Sequence, residues 1–305
     1  MQFSVGAEKT GTCVALGNFD GIHLGHRKIV ENCVRKAREE GLVSLVWSFR
    51  RHPEHILKGN FSSGNIISLR DKETILKSVG IDHLFLEDFE RVRDLSPEEF
   101  CDRILIRQLS ARFVFCGFNF RFGKHGAGDA AFLKEYLASK GVCVIAEEPV
   151  CLDGDTVSST RIRALLAKGE MEQVKRLLGR PYSIRFPVLH GKHLGSRIGF
   201  PTLNQVFPEE YVTPKKGVYA VRVAFDGQQY FGVCNVGSRP TVDRDDRIIA
   251  ETHLLDFSGE LYGKEVRVEF HRFLRPETKF SSLEELKLQI GKDRERARLF
   301  WKEQQ

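Results

Sequence analysis

The sequence predicts an α/β doubly wound parallel-sheet domain followed by a small antiparallel β-barrel domain with a C-terminal helix. Three observations predict it. Up to about residue 180, short apolar runs alternate with stretches of helical period, the pattern of strands and helices in a parallel sheet. At Gly179-Arg180-Pro181 a helix stop coincides with a turn signal, and the texture beyond it changes to period-two runs. A charged amphipathic stretch from Ser281 to Lys302 then follows the last of those runs. The expected domains are residues 1–180 and 181–305, each long enough to bury its own core.

In the first half, Thr12–Leu16 reads as a buried strand and Asp20-Gly21 as a tight turn. A helix is expected from about His23 to Glu40, because Ile29, Val30, Cys33, Val34 and Ala37 fall on one face and Gly41 stops it. Leu42–Phe49 is the next strand, residues 58–66 lack periodicity and read as a loop, Asp71–Val79 reads as a helix and Ile81–Leu86 as a strand. Ser96 is placed to cap a helix that has Pro97 at its first position and Glu99 as capping-box partner. Ala111–Cys116 and Val142–Ala146 are further strands, flanking a helix over Phe132–Lys140 that Gly141 ends. A doubly wound sheet binds ligands at the carboxyl ends of its strands, and the chemically loaded stretches of this half fall there.

The first such stretch is Leu16-Gly17-Asn18-Phe19-Asp20-Gly21-Ile22-His23-Leu24-Gly25-His26. It sets two histidines, three residues apart, at the start of a helix fed by a strand. A helix start offers unpaired N–H groups and the positive end of the macrodipole, so imidazoles and a glycine there make a site for nucleotide phosphates. Zinc would need further ligands from distant segments, and no cysteine pair stands at metal spacing. Capping or surface histidines are the other plain alternative. The second stretch is Gly117-Phe118-Asn119-Phe120-Arg121-Phe122-Gly123, trailed by Gly126-Ala127-Gly128-Asp129. Its three phenylalanines match no regular face; they can stack on a planar ligand, or fold back on the domain. The third is Val157-Ser158-Ser159-Thr160-Arg161-Ile162-Arg163, leading into a helix. Serine and threonine are ordinary caps there, but two arginines in the same turn can also fork a phosphate.

In the second half, Val218–Phe225 and Gln229–Cys234 flank Asp226-Gly227, a strong hairpin signal. Ile248–Leu255 and Lys264–Phe273 read as further strands, and Ser282 with Glu285 forms a capping box for the last helix. The chemistry is concentrated in Gly191-Lys192-His193-Leu194-Gly195-Ser196-Arg197-Ile198-Gly199-Phe200-Pro201-Thr202-Leu203-Asn204. Thr202 and Asn204, two apart on an extended segment, supply hard oxygen ligands of the kind Mg²⁺ takes beside phosphate and water. In Glu251-Thr252-His253-Leu254-Leu255-Asp256-Phe257, a mid-strand carboxylate either faces solvent or accepts the proton of an attacking hydroxyl.

Composition narrows the classes. Hydrophobic residues are 41% and charged residues 29%, ordinary for a globular protein. No run of about eighteen apolar residues and no signal pattern is present, so no membrane span and a cytoplasmic location are expected. Seven scattered cysteines read as reduced thiols. The net charge of +6 suits polyanionic ligands such as ATP, but Lys and Arg are interleaved with Asp and Glu, and no nucleic-acid partner is expected. No oligomeric state is read.

The strand, Asp-Gly turn, HxGH string and following helix resemble the signature of the nucleotidyltransferase superfamily related to class I aminoacyl-tRNA synthetases. GNFDGIHLGH, GFNFRFG with its trailing Gly-Asp, and VSSTRIR, in that order, resemble the FAD synthetase module of bacterial bifunctional riboflavin kinase/FAD synthetases. GFPTLN, Gly217-Val218-Tyr219, Asn235-Val236-Gly237 with Pro240-Thr241, and ETHLLDF resemble the riboflavin kinase module of the same family. The resemblance runs over about residues 12 to 300. It implies phosphorylation of riboflavin to FMN and adenylylation of FMN to FAD, with ATP as co-substrate and Mg²⁺ as cofactor. By the same resemblance His23 and His26 serve catalysis in the first module, where Gly17, Phe19, Asn119, Ser159, Thr160, Arg161 and Arg163 meet ATP and Phe120, Phe122 and Asp129 meet flavin. In the second, Glu251 is the base, Thr202 and Asn204 hold the metal, and Gly191 and Gly195 meet ATP. Three departures from the family pattern stand out: Arg51 replaces the first proline of Phe-x-Pro-His-Pro, Ser196 stands where many members have arginine, and Leu203 replaces alanine. The alternatives are a chain with one degenerate module, or a flavin- or RNA-binding regulator on the same fold. Intact phosphate-contact residues in both halves favour the enzyme.

Overall fold

The computed structural model describes residues 11–59, 64–190, 202–238, 247–257 and 259–304. It divides into two compact units, Met1–Asn65 with Leu69–Ser159, and Ile66–Ser68 with Thr160–Gln305.

The first unit is a five-stranded sheet. Its elements are β1 (Thr12–Leu16), α1 (Leu24–Glu39), β2 (Val43–Phe49), α2 (Pro53–Lys58), α3 (Leu69–Val79), β3 (His83–Glu87), α4 (Phe89–Val92), α5 (Pro97–Glu99), β4 (Ala111–Gly117), the short β5 (Arg121–Phe122) and β6 (Gly128–Asp129), α6 (Ala130–Ala138) and β7 (Cys143–Glu147). The main sheet has the order β3-β2-β1-β4-β7 with parallel pairing throughout. Every residue of β1 is buried, as a central strand covered on both faces requires. The strand order runs outward from β1 to β2 and β3 on one side and resumes with β4 on the other. The switch point therefore lies between the carboxyl ends of β1 and β4.

Local chemistry accounts for the helices. α1 buries Ile29, Val30, Cys33, Val34 and Ala37, the face expected from their spacing. The capping box forms as expected, with Glu99 N donating to Ser96 Oγ at 3.2 Å and Ser96 N donating to Glu99 Oε2 at 2.9 Å. Beyond it the chain continues as a π-helix over Phe100–Gln108, and its Phe100 packs edge-on to Trp47 in the core. α2 was not expected: His52 caps it, Pro53 opens it and Gly59, left-handed at φ 64°, ends it within two turns, too short to show a period.

The second unit holds α7 (Ser159–Lys168, from its second residue), α8 (Met171–Leu178) and six strands: β10 (Tyr182–Pro187), β11 (Thr202–Val206), β12 (Gly217–Phe225), β13 (Gln228–Ser238), β14 (Ile248–Leu254) and β15 (Glu265–Arg275). The small hairpin β8 (Cys151–Leu152) and β9 (Asp155–Thr156) precedes α7 in the first unit. Lys215 N donates to Leu166 O, and Arg272 pairs with Glu172 at 2.8 Å, so α7 and α8 group with the strands rather than with the residues before them.

The six strands form one antiparallel sheet, β10-β15-β12-β13-β14-β11. Asp226 and Gly227 make the two-residue hairpin loop, both with positive φ as that turn demands. The sheet curls until its edges meet. Leu189 N donates to Asn204 O at 2.8 Å, and the buried Gln205 amide donates to Phe186 O at 2.6 Å and Val266 O at 2.8 Å. α9 (Leu283–Lys302) then lays Ala297, Phe300 and Trp301 on Val218, Ala220 and Val233. Its cap differs from the expected box: Ser282 Oγ accepts from Glu285 N, but the Glu285 carboxylate reaches Ser281 N instead of Ser282 N. A fork of Arg275 on the buried Asp293 carboxylate, at 2.7 to 3.0 Å, ties α9 to β15.

Glu269 on β15 is buried among Arg222 at 2.6 Å, Arg267 at 3.2 Å and His271 at 3.6 Å. Burial alone would raise its carboxyl, but the neighbouring His271 ring, the Arg222 hydrogen bond and the charges of Arg267 and Arg222 outweigh it and hold the group at about 2 against an ordinary 4.5. A carboxyl depressed on folding stabilises fully above its unfolded value and loses that contribution as pH falls through the folded one. Acid unfolding followed by circular dichroism should therefore lose on the order of 3 kcal/mol between pH 4.5 and 2 at this site. Glu269→Gln should flatten that part of the profile; an unchanged profile refutes the assignment.

Candidate active sites

In the first unit, the turn after β1 is held in an unusual backbone. Phe19 (φ 50°), Gly21 (φ 81°) and Ile22 (φ 39°) are all left-handed, and the side chains of Phe19 and Ile22 are fully buried. For residues with a Cβ this costs roughly 1–3 kcal/mol each, and persists only where the surroundings over-determine it. Here they do. The Asn18 carbonyl accepts from Ser48 Oγ at 3.0 Å and from Lys72 Nζ at 2.8 Å, and the Asp20 carbonyl accepts from Ser159 Oγ at 2.9 Å. A Cβ on Gly17 would sit 3.1 Å from the Phe19 ring, so glycine there lets that ring fold back over the strand end.

The turn delivers the histidines. His23 is the N-cap of α1, and its Nδ1 accepts from His26 N at 3.3 Å. A neutral ring accepting at Nδ1 carries its proton on Nε2, which directs a donor away from the helix. The His26 ring stacks on that of His23 with centroids 3.7 Å apart and planes at 15°, while Phe19 meets His26 edge-on at 5.3 Å. A Cβ on Gly25 would lie 3.2 Å from the His23 ring. The glycine of the HxGH string thus makes room for the stack. Two imidazoles and the start of a sixteen-residue helix converge at the carboxyl end of β1, an arrangement that receives anionic oxygens.

The second stretch arrives from the other side of the switch point. A Cβ on Gly117 would stand 3.3 Å from Asn119 Oδ1 and 3.8 Å from Ile29 Cδ1, so the Asn119 amide folds over the end of β4 beside α1. The phenylalanines divide. Phe122 belongs to the core cluster, 7% exposed, packed on Phe100 at 5.0 Å, and Gly128 is glycine because a Cβ would lie 2.6 Å from the Phe122 ring. Phe122, expected to meet flavin, is thus a packed ring at the edge of accessibility. β5 and β6 are two residues each, too short for their alternation to show in the sequence. Phe120 rests on the edge of that core, stacked on Phe122 at 5.8 Å, and Phe118, the first of the three phenylalanines, is 49% exposed. Asp129 caps α6 through Phe132 N at 2.9 Å and meets Arg121 at 3.4 Å. Thr160, Arg161 and Arg163 occupy the first turns of α7.

In the second unit the register of β11, β14 and β13 sets Asn204 opposite Glu251 and Glu251 opposite Asn235. Directly opposed residues share a face with Cβ atoms about 5 Å apart, so the three form one row, and Thr202, two residues from Asn204, lies on the same face. Asn204 is buried, and Thr202, Glu251 and Asn235 are half-buried. Asn204 Nδ2 points to Thr202 O at 3.4 Å, which turns Oδ1 the other way. The carboxylate of Glu277 lies against Gly237, where a Cβ would collide with it, close to the Asn235 amide. This neighbour had no signature in the sequence. Among the described residues no three His, Cys, Asp or Glu side chains gather as a metal cage. A hydroxyl and an amide oxygen fit Mg²⁺, which draws its remaining ligands from phosphate and water. Gly191 and Gly195, with Gly199–Pro201 and Pro240–Thr241, lie outside the described residues.

The FAD synthetase family matches residues 6–161 and the riboflavin kinase family residues 178–301. The bifunctional riboflavin kinase/FMN adenylyltransferase of Bacillus subtilis (strain 168) is 37% identical over 294 residues, covering 95% of this chain and 92% of the relative. That of Pseudomonas fluorescens is 40% identical over 287 residues, covering 94% and 92%. Among solved structures, a Streptococcus pneumoniae protein described as a macrolide-efflux protein is similar with a TM-score of 0.85 at 32% identity, over 94% of each chain. Among the described residues no helix is long and apolar enough to cross a membrane. With both catalytic domains matched in one chain, and relatives matched along nearly their whole length, this protein belongs to the bifunctional riboflavin kinase/FMN adenylyltransferase family.

Proposed function

We propose that this chain converts riboflavin to FMN and FMN to FAD at two separate sites, each using ATP. One observation supports the two-site reading above others. The stacked imidazoles at a helix start lie in one unit, and the row of Asn204, Glu251 and Asn235 beside Thr202 lies in the other.

In the adenylyltransferase half, a phosphate oxygen of FMN attacks the α-phosphorus of ATP, and pyrophosphate leaves. His23, His26 and the first N–H groups of α1 hold the triphosphate and offset charge on the leaving group. Ser159, Thr160, Arg161 and Arg163 serve as a second set of donors to it. Gly17, Phe19 and Asn119 line the nucleotide, and Phe120 and Asp129 contact the flavin, with Phe122 as the packed support beneath Phe120. The chemistry is a direct displacement that rests on positioning and charge compensation.

In the kinase half, Glu251 takes the proton of the ribityl 5′-hydroxyl as that oxygen attacks the γ-phosphorus of ATP and ADP leaves. Thr202 and Asn204 would hold Mg²⁺, which neutralises charge on the transferring phosphoryl group. Asn235 orients the Glu251 carboxylate or the hydroxyl it serves. Gly191 and Gly195, by the family resemblance, would meet ATP. All seven cysteines are free, which fits a cytoplasmic enzyme.

Chromatography of flavins after incubation with ATP and Mg²⁺ tests both assignments. His26→Ala should lower FAD formation from FMN by about 10²-fold or more, with FMN formation from riboflavin within about twofold of wild type; equal loss of both overturns the separation of the sites. Glu251→Gln should do the reverse, lowering riboflavin phosphorylation by roughly 10²–10⁴-fold while added FMN is still converted to FAD. Normal phosphorylation by that variant would remove Glu251 from the role of base.

A further inference from the structure

α3 carries a lysine on its buried face, four residues before the buried Leu76. Arg70, Glu73 and Lys77 on the same helix are exposed, but Lys72 is 5% exposed, with Nζ 2.8 Å from Asn18 O and 3.3 Å from Ser48 Oγ. Ser48, itself fully buried at the end of β2, donates to the same Asn18 carbonyl. An ammonium taken out of water is costly unless a countercharge meets it closely. Here its hydrogen bonds go to a carbonyl and a hydroxyl, and the buried Asp20 acts on it electrostatically. Asn18 is the residue before Phe19, whose left-handed backbone brings its ring against His26.

We infer that Lys72 is a positioning residue of the adenylyltransferase site: by pinning the Asn18 carbonyl it fixes the strained turn that aims His23 and His26, and it sets a positive charge beneath the place where the triphosphate is received. The inference rests on the reading that those two histidines hold the triphosphate. Lys72 itself touches neither imidazole nor substrate in this role, so it acts through the turn.

The energetics separate this role from a purely structural one. Burial pulls the Lys72 ammonium down to about 8 from an ordinary 10.5, against the opposing field of Asp20. Below about 8 both folded and unfolded chains carry the charge, so its desolvation is a standing cost to folding at neutral pH, relieved only as pH rises from about 8 toward 10.5. Replacing Lys72 by methionine removes that cost, and Ser48 Oγ still satisfies the Asn18 carbonyl. Stability should hold while catalysis falls, the opposite of what loss of a structural anchor gives.

The experiment compares full-length wild type, Lys72→Met, Lys72→Arg, Ser48→Ala and His26→Ala for kcat and KM in FMN adenylylation, for riboflavin phosphorylation, and for melting temperature. Lys72→Met should lower adenylylation by roughly 10²-fold, mainly in kcat, with riboflavin phosphorylation within about twofold and melting within a few degrees of wild type. Lys72→Arg should restore a large part of the loss, and Ser48→Ala should fall in the same direction by about tenfold or less. Wild-type adenylylation in Lys72→Met beside an inactive His26→Ala overturns the inference and leaves the site reading intact. Full adenylylation in His26→Ala overturns the site reading and the inference with it. Parallel loss of both activities, or a melting drop of about 10 °C or more, makes Lys72 a structural residue and overturns the inference. Should Lys72→Met fail to fold, normal adenylylation by Ser48→Ala overturns it equally.

Discussion

The adenylyltransferase half depends on a turn that the polypeptide adopts only under constraint. Between β1 and α1 the chain must leave the centre of a parallel sheet and enter a helix within seven residues, Gly17 to His23. It does so by placing Phe19 and Ile22 in the left-handed region, where a Cβ is unwelcome. What holds them there is burial of both side chains and the donors that converge on two carbonyls, those of Asn18 and Asp20. The reward is geometric. His23 lies outside the helix as its cap, and in accepting from His26 N its ring comes face to face with that of His26. Two histidines within the helix at the same spacing would point along it in parallel rather than close a cap. The three fixed letters of HxGH then each have a cause: a capping ring, a second ring over it, and a glycine that leaves space beside the first.

The kinase half meets the same problem, a polyphosphate in water, with different means. Its row of polar groups lies on strands and offers a hydroxyl and an amide oxygen, those of Thr202 and Asn204, where the other half offers the N–H groups of a helix start. The row exists because antiparallel register brings residues of three strands opposite one another. Its other face is filled by Leu203, Thr252, Cys234 and Tyr219, all buried. A slip of one residue would send Glu251 into that core and Thr252 into the site. The Gln205 amide, bonded to Phe186 and Val266, opposes such a slip where the two edges meet.

Features written in short-range chemistry were legible in the sequence. β1 begins and ends where the pattern of apolar residues says it should, α8 stops at Gly179, the box of Ser96 and Glu99 forms, and the Asp226-Gly227 hairpin closes in the two residues expected. The placing of two histidines at a helix start was legible because strand, turn and helix start follow one another directly. Features that depend on a third segment were not. The packing of Phe122 against Phe100 and Gly128 leaves no local signal in its own stretch. Glu277 reaches the kinase row from beyond β15. The grouping of α7 and α8 with the barrel, ahead of the stop at Gly179, rests on contacts with Lys215 and Arg272, which lie far along the chain.

Lys72 is the sharpest case, because its meaning lies in a comparison among buried charges. Asp293 is closed in by the fork of Arg275, and Glu269 by Arg222, Arg267 and His271, so each is matched in sign at contact distance. Removing a partner there would strand a charge, which is the signature of a structural pair. Lys72 has a carbonyl and a hydroxyl at contact distance, and burial lowers its affinity for the proton it carries. A residue chosen for stability at that position would be apolar, packed on Leu76 and the end of β2. An ammonium kept there against its solvation is explained by what it holds, and what it holds is the carbonyl one residue before the turn that brings the two imidazoles together.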